Sequence, residues 1–408
     1  MENASYHERK GRGSSGMSAG RGRRMSGAVG PREIAVVGVG QTNHRELFQE
    51  KGVQRDAHAL GAEALRLALD DAGMAKEELD GLLVSRVGYN RMADVLGIHR
   101  PRFVQELEGS GRMSGVALQN AVALISSGAA EVVACVYGNN GRSAQMKYGG
   151  EGAGEGAGPT AGYDAMYGMT SPGAYVSMMY QRYRHLYGVP EDALAPLAIN
   201  NRRNATRNPL AVFQEEITHD QYMGSRFIAE PMRLFDYCII NDGGVAFIVT
   251  TMERARTLAK PPVRVAATAG MAELTNFYTS ADFFFDACRH VALQVHDQSG
   301  LRPEEMKALE VYDNFLPTIL FTLEGFGHAD RGTAWEWVRE NSIGFDGDRP
   351  MNTSGGHTAE SYMQGWALHV EAVKQVRGEA GERQVSGCDA VQYMCASPIV
   401  TSHVFTAA

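Results

Sequence analysis

No stretch of this 408-residue chain runs to 18 or so consecutive apolar residues, so no helix spanning a membrane is expected. Positive charge is also short. Lys and Arg number 39 against 47 Asp and Glu, a net charge of −8, which argues against nucleic acid as a partner. Cysteine is scarce: Cys135, Cys238, Cys288, Cys388 and Cys395 are odd in number and include no C-x-x-C pair. Neither a disulfide framework nor a metal site is expected, and reduced, buried thiols in a cytoplasmic protein fit this usage. Gly38-Val39-Gly40 falls short of G-x-G-x-x-G, and the glycine-rich run at 149–163 lacks G-K-[ST]. Dinucleotide and P-loop phosphate sites are therefore not supported, and the run is expected to be a flexible loop. Residues 1–32 carry few large apolar side chains and lack the apolar core of a secretory signal. They are expected to be a disordered tail, with Met17 and Met25 as alternative starts.

What remains is 44% hydrophobic, ample for a large core, and at roughly 150 residues per domain the length suggests two or three domains. Residues 33–40 form a short β-branched run ending in glycine, which predicts a buried strand. Residues 56–72 place Leu65, Ala68, Leu69 and Ala72 at helical spacing, Gly73 closes that helix, and 82–84 reads as the next strand. The design returns at 262–267 (strand), 281–298 (helix, closed by Gly300) and 309–312 (strand). An offset of 227 sets Gly73 on Gly300, Leu82 on Leu309 and Val84 on Val311 without a gap. Repetition on this scale predicts two similar halves, and alternating strands and helices predict α/β layers. The halves are taken as 33–258, with an inserted region at about 139–235, and 259–408. Within the insertion, 177–203 reads as mostly helical, with Met178, Met179 and Tyr180 either lining a lipid pocket or packing in the core. Ser110 and Ser114 precede a helix running to Ser127, where an N-cap is the plain reading.

One later stretch, 352–378, opens with Asn352-Thr353-Ser354 and the glycine pair Gly355-Gly356, then carries Trp366, Val370 and Val373 at helical spacing. Two glycines ahead of a helix let backbone amides approach a ligand. Tyr362 falls where that helix is expected to begin.

This stretch and three others in chain order resemble the motifs of the thiolase superfamily over about residues 33–408. The thiolase C-x-x-G turn, which carries the nucleophilic cysteine, is matched by Arg112-Met113-Ser114-Gly115, with Arg112 in the cysteine position. The N-E-A-F or H-D-x-F motif reads Tyr312-Asp313-Asn314-Phe315. The N-x-x-G-G motif is intact, but the histidine that follows it is replaced by Tyr362. The last motif, C-x-G, reads Cys395-Ala396-Ser397. The resemblance implies an α/β thiolase fold, two similar β-α-β-α-β halves forming a layered α-β-α-β-α core. It also implies that Claisen chemistry through an acyl-cysteine is lost. The pattern is similar to the lipid-transfer-protein branch, which includes steroid side-chain aldolases. Those enzymes cleave a β-hydroxyacyl-CoA to a ketone and a shorter acyl-CoA.

Carried over by motif, the resemblance implies Tyr312 and Tyr362 as an acid/base pair, with Cys395, His357 and Asp313 nearby. Ser114, Gly115, Gly355 and Gly356 would hold the substrate, and Arg202, Arg203 and Arg207 are candidates for the CoA phosphates. On the residues alone, each has a plainer reading: a core-packed Tyr312, a helix-start Tyr362, an inert Cys395, an exposed loop His357, an Asp313 that caps a turn. A non-catalytic acyl-CoA carrier and an atypical acyltransferase using Cys395 or a serine are the alternative functions. The resemblance further implies no permanently bound cofactor, a CoA thioester as substrate, a homodimer, and a zinc-ribbon/OB-fold protein completing a heterotetramer.

Overall fold

The strands of the two sequence halves join in one mixed sheet of nine. The structure, a computed structural model, describes residues 32–108, 111–146, 169, 171–274 and 279–408. The expected disordered tail (all but Arg32), the N-cap at Ser110 and the glycine-rich loop lie outside the described residues. The first half supplies β1 (Ile34–Gln41), β2 (Gly81–Ser85), β3 (Phe103–Leu107), β4 (Val132–Asn140) and, after the insertion, β7 (Asp242–Thr251). The insertion holds a small ribbon of β5 (Phe227–Ala229) and β6 (Met232–Arg233). The second half supplies β8 (Val263–Ala272), β9 (Ala308–Val311), β10 (Ala390–Cys395) and β11 (Ile399–Ala407).

The strand order is β3-β2-β4-β7-β1-β8-β11-β10-β9. Read outward from the β1–β8 junction, the two halves match. β2 pairs in parallel with β4, and β9 in parallel with β10. Met351 forms a parallel bridge to Leu309 where β3 lies beside β2 in the first half. β1 and β8 touch at only two registered pairs, Ala35–Arg264 and Val36–Val263. This narrow seam makes two half-sheets continuous. Residues 32–408 form a single unit.

The repeat in the sequence has a physical basis. The helices Ala57–Ala72 and Phe285–Ser299 both end on a left-handed glycine, Gly73 (φ +65°) and Gly300 (φ +70°), the residue that conformation favours. The second helix starts at Phe285, four residues later than its periodicity predicts. Gly38 and Gly40 explain the G-V-G run: a Cβ on either would lie 2.2 Å from a carbonyl oxygen of the Ala57–Ala72 helix. The glycines let that helix pack directly onto the strand. Between the half-sheets lie the helices Met113–Ser127 and Trp366–Arg377. Their side chains share one apolar cluster with strands of both halves, including Val36, Val133, Val391 and Phe405. The layers therefore run helix, half-sheet, central helices, half-sheet, helix. No helix among the described residues is long and apolar enough to cross a membrane.

The predicted helical stretch in the insertion is two helices, Pro172–Tyr187 and Ala195–Ala205, separated by Gly188 in the left-handed region (φ +64°). The three side chains proposed there for a lipid pocket go different ways. Met178 is 60% exposed, Tyr180 is buried in the core, and Met179 lines the cleft described next.

Candidate active site

Tyr312 is the residue after β9. Its amide donates to Met394 O of β10 at 2.8 Å, which carries the ladder one step further. The site thus lies beyond the carboxyl ends of two parallel strands, where α/β sheets open a crevice. The 352–356 turn is fastened to the same strand end. The Asn352 side chain imitates a neighbouring strand: Oδ1 accepts from Val311 N at 2.7 Å and Nδ2 donates to Val311 O at 3.0 Å. Gly356 (φ +60°) passes so close to Asp313 that a Cβ would lie 2.4 Å from Oδ2. Beneath the turn, Thr353 Oγ1 sits 2.9 Å from Glu310 and 2.8 Å from Glu371, which is ion-paired to Arg383 at 2.7 Å. Burial, reinforced by the charge of Glu371, pushes the Glu310 carboxyl well above the usual carboxylate range. A shift in that direction eases the repulsion between the two acids that meet at this hydroxyl.

His357 is fully buried. Its amide donates to Asp313 Oδ1 at 2.9 Å, its ring Nδ1 lies 2.9 Å from the same oxygen, and its Nε2 accepts from Gly365 N–H at 2.9 Å. At the other ring nitrogen, Nδ1 also accepts from the Asp313 N–H at 3.3 Å. The second oxygen of Asp313 accepts from Asn201 Nδ2 at 2.8 Å. The imidazole is therefore held at both nitrogens and serves as a fixed wall. Tyr312 packs against it with ring centroids 4.8 Å apart, and Tyr362 meets it edge-on at 5.3 Å and 90°. The Tyr362 amide donates to Asn241 Oδ1 at 2.8 Å. With both rings fixed, their hydroxyl oxygens come to 3.1 Å. Two phenols at hydrogen-bond distance can pass a proton between them, as general acid/base chemistry requires.

A cleft opens at Tyr312. It is walled on the apolar side by Val176, Met179 and Phe284, and on the other by Gly111, Arg112, Asn314, Thr318 and Ala396–Pro398. Gly111 lies directly under the phenol, since a Cβ there would fall 1.6 Å from Tyr312 Oη.

Several expected site residues have other parts. Tyr362 does not start a helix. The chain makes a short helix Gly356–Ala359, and the long one begins at Trp366, after Gly365 turns the backbone at φ +87°. His357 and Asp313 are not cleft residues; they are spent on each other and on Gly365 and Asn201. Ser114 is buried, with Oγ 3.1 Å from Tyr393 Oη. Gly115 sits within the Met113–Ser127 helix against Thr401, where a Cβ would lie 2.2 Å from Oγ1. The Gly355 amide donates to Asn352 O at 2.9 Å, so it is occupied within the turn. Cys395 is fully buried beside Ser397 Oγ at 3.5 Å, and burial pushes its thiol up to about 11. Arg203 and Arg207 pair with Asp346 (2.6 Å) and Glu382 (3.3 Å), and Arg202 lies over the Phe213 ring at 3.9 Å. None of the three lines the cleft.

Sequence reasoning missed Asn201, which braces the site from the insertion, and Asn241, which braces it from just before β7. A signal existed for the first: Asn200, Asn204 and Asn208 recur every four residues, with Asn201 alongside, and all four are buried. It also missed Gly111 and Arg112 as cleft residues, because the helix starting at Met113 buries Ser114 and Gly115 and leaves the two residues before it at the cleft.

The chain matches the thiolase N-terminal domain family over residues 34–253 and the thiolase C-terminal domain-like family over 269–404. A steroid side-chain-cleaving aldolase of Thermomonospora curvata is 33% identical, over 86% of this chain and 92% of the relative. The 17-hydroxy-3-oxo-4-pregnene-20-carboxyl-CoA lyase of Mycobacterium tuberculosis is 31% identical, over 91% and 98%. A solved structure described as the Ltp2-ChsH2(DUF35) aldolase superposes with a TM-score of 0.83 at 29% identity, covering 92% of this chain and 98% of that one.

Proposed function

The chain belongs to the thiolase superfamily, in the branch of steroid side-chain-cleaving aldolases and sterol-carrier-type thiolase-like proteins, and from that premise we propose that it is a carbon–carbon lyase. It cleaves a β-hydroxyacyl-CoA, of the kind carried on a steroid side chain, to a ketone and a shorter acyl-CoA by a retro-aldol step. The observation that carries this reading is the 3.1 Å contact between the Tyr312 and Tyr362 hydroxyls at the cleft.

The step balances on these two groups. One tyrosine, as phenolate, takes the proton of the β-hydroxyl. The Cα–Cβ bond breaks, the oxygen becomes the ketone carbonyl, and the electron pair passes to the thioester as an enolate. The other phenol protonates Cα. A proton moving across the hydroxyl contact then restores the starting state. A free phenol has a pKa near 10, which suits it to protonate an enolate; serving as the base requires nearby positive charge. No covalent intermediate is needed, so the replacement of the nucleophilic cysteine costs this reaction nothing. Cys395 is a poor substitute nucleophile, buried and with a thiol near 11, so the acyltransferase reading has little to stand on. Val176, Met179 and Phe284 give the cleft an apolar wall, the kind of surface a hydrocarbon next to the reacting carbon would meet. A homodimer and a zinc-ribbon/OB-fold partner complete the proposal. Co-expression of this chain with such a protein, followed by size-exclusion chromatography, tests that part.

The reaction is tested with pure protein, alone and with that partner, and a β-hydroxy-branched acyl-CoA, by quantifying released ketone. Tyr312→Phe and Tyr362→Phe should each lower kcat about 100- to 10,000-fold. Full rates in either variant would remove the pair. Tight acyl-CoA binding with no ketone would favour a carrier.

A further inference from the structure

We infer that Phe284 is the specificity-determining residue of the cleft, a fixed aromatic stop that limits the size of the substituent on the β-carbon of the acyl chain. This rests on the lyase reading and adds to it a choice of substrate. The β-carbon that this chain accepts lies on an open chain with small groups, not inside a fused ring.

Three observations carry it. First, the Phe284 backbone sits in the left-handed region, at φ +63° and ψ +18°, and Phe283 before it at φ +64°. Two consecutive phenylalanines there are unfavourable, because in that conformation the Cβ crowds the following carbonyl oxygen. Such a backbone persists only where its surroundings over-determine it, and such positions cluster at functional sites. Second, the surroundings do over-determine it. The Phe284 N–H donates to Ser280 Oγ at 2.9 Å, and the Asp282 N–H reaches the same oxygen at 3.3 Å. The Phe283 ring stacks on Phe321 at 5.1 Å and meets Tyr183 edge-on at 5.5 Å. Phe283 is thereby locked in the core, and Phe284, the next residue, lines the cleft while only 2% exposed. Third, the same serine reaches the other large side chain of the apolar wall. The Ser280 N–H lies 3.2 Å from Met179 Sδ.

The size of the cleft turns this wall into a filter. Its free volume is about 10 Å³, room for about one water, so a larger substituent must displace part of the wall. Met179 is the part that yields, because an unbranched thioether repacks at low cost. Phe284 does not yield, because its ring is packed and its backbone is held by Ser280 and by the anchored Phe283. A substituent that grows past Met179 stops at this ring.

The test uses the full-length protein, with the partner if the wild type requires it, and two β-hydroxyacyl-CoAs. In one the β-carbon carries two methyl groups and releases acetone. In the other it belongs to a fused-ring system and releases a ring ketone. The wild type should prefer the first at least tenfold in kcat/KM, a factor that the fit of one or two methylenes in an apolar pocket can produce. Phe284→Ala should reduce that preference at least tenfold. Phe284→Leu, which keeps the site apolar and guards against a variant that fails to fold, should reduce it at least threefold. A wild type that cleaves the ring substrate as well as the small one overturns the inference without any variant. So does a preference that folded Phe284→Ala or Phe284→Leu leaves nearer to wild type than these limits. A general loss of rate on both substrates, with their ratio unchanged, marks a packing role only and also overturns it. A wild type that releases no ketone from either acyl-CoA sinks the lyase reading instead. The ratio of the two dissociation constants, measured by calorimetry, then decides the inference against the same limits, and binding of neither refutes it.

Discussion

Two pairs of hydroxyls stand on either side of Gly365, each with its oxygens 3.1 Å apart: Tyr312 with Tyr362, and Ser114 with Tyr393. They are near neighbours. A Cβ on Gly365 would lie 2.4 Å from Ser114 Oγ, 2.9 Å from Tyr393 Oη and 3.2 Å from Tyr312 Cδ2. Their surroundings differ. Tyr393 is fully buried, packed between His369 (4.0 Å) and His403 (5.6 Å), and burial with the nearby Cys395 pushes its hydroxyl well above the usual phenol range. Tyr312 lines the cleft, beside a cation and an apolar wall. Hydroxyl spacing therefore does not make a site. Access to the cleft separates the proposed acid/base pair from the buried one.

The comparison breaks first at Gly111. An alanine there would place its Cβ 1.6 Å from Tyr312 Oη, next to a carbonyl that accepts from Ser114 Oγ at 3.3 Å. Cleavage by Gly111→Ala should fall about 100-fold or more, the effect of displacing a positioned acid/base group, with the melting temperature only a few degrees lower. Unchanged kcat would mean that the reaction does not use the cleft pair. Asp313 comes next. Asp313→Ala leaves the His357 ring and Asn201 facing an emptied, buried space, and such losses cost about 3 kcal/mol. A shift in the denaturant midpoint measures it. A variant as stable as wild type would show that the His357 wall stands without its carboxylate.

The two-half plan was legible because it rests on local physics: a strand, a helix ended by a left-handed glycine, and a second strand, twice over. The four motifs were legible because Asn352, the glycine pair and Tyr312 are fixed by backbone geometry as much as by chemistry. What the sequence hid was direction. His357 reads as a loop histidine, yet the bond from Gly365 N–H turns it inward. Ser114 and Gly115 hold the motif position, but the turn presents Gly111 and Arg112 to the cleft. The bracing by Asn201, in the insertion, and by Asn241, just before β7, comes from far away in sequence, and no local pattern points from there to Tyr362 or Asp313.

The smaller effects lie on the buried side. Tyr393→Phe removes one hydroxyl contact to Ser114, worth about 1 kcal/mol, and should leave kcat within twofold. A larger kinetic loss would join the two pairs into one proton path through Gly365. Cys395→Ala should change cleavage least, and the thiol itself offers the finer probe. With a value near 11, about one molecule in 10,000 carries the thiolate at pH 7, since each unit below the pKa costs a factor of ten. Alkylation at this position should therefore be slow at neutral pH and rise about tenfold per pH unit toward 11. Arg112→Gln should slow it further at every pH below that, because the guanidinium is one of the groups lowering the thiol. Fast alkylation at pH 7, followed by peptide mapping to Cys395, would show a thiolate already present and return sulfur chemistry to contention.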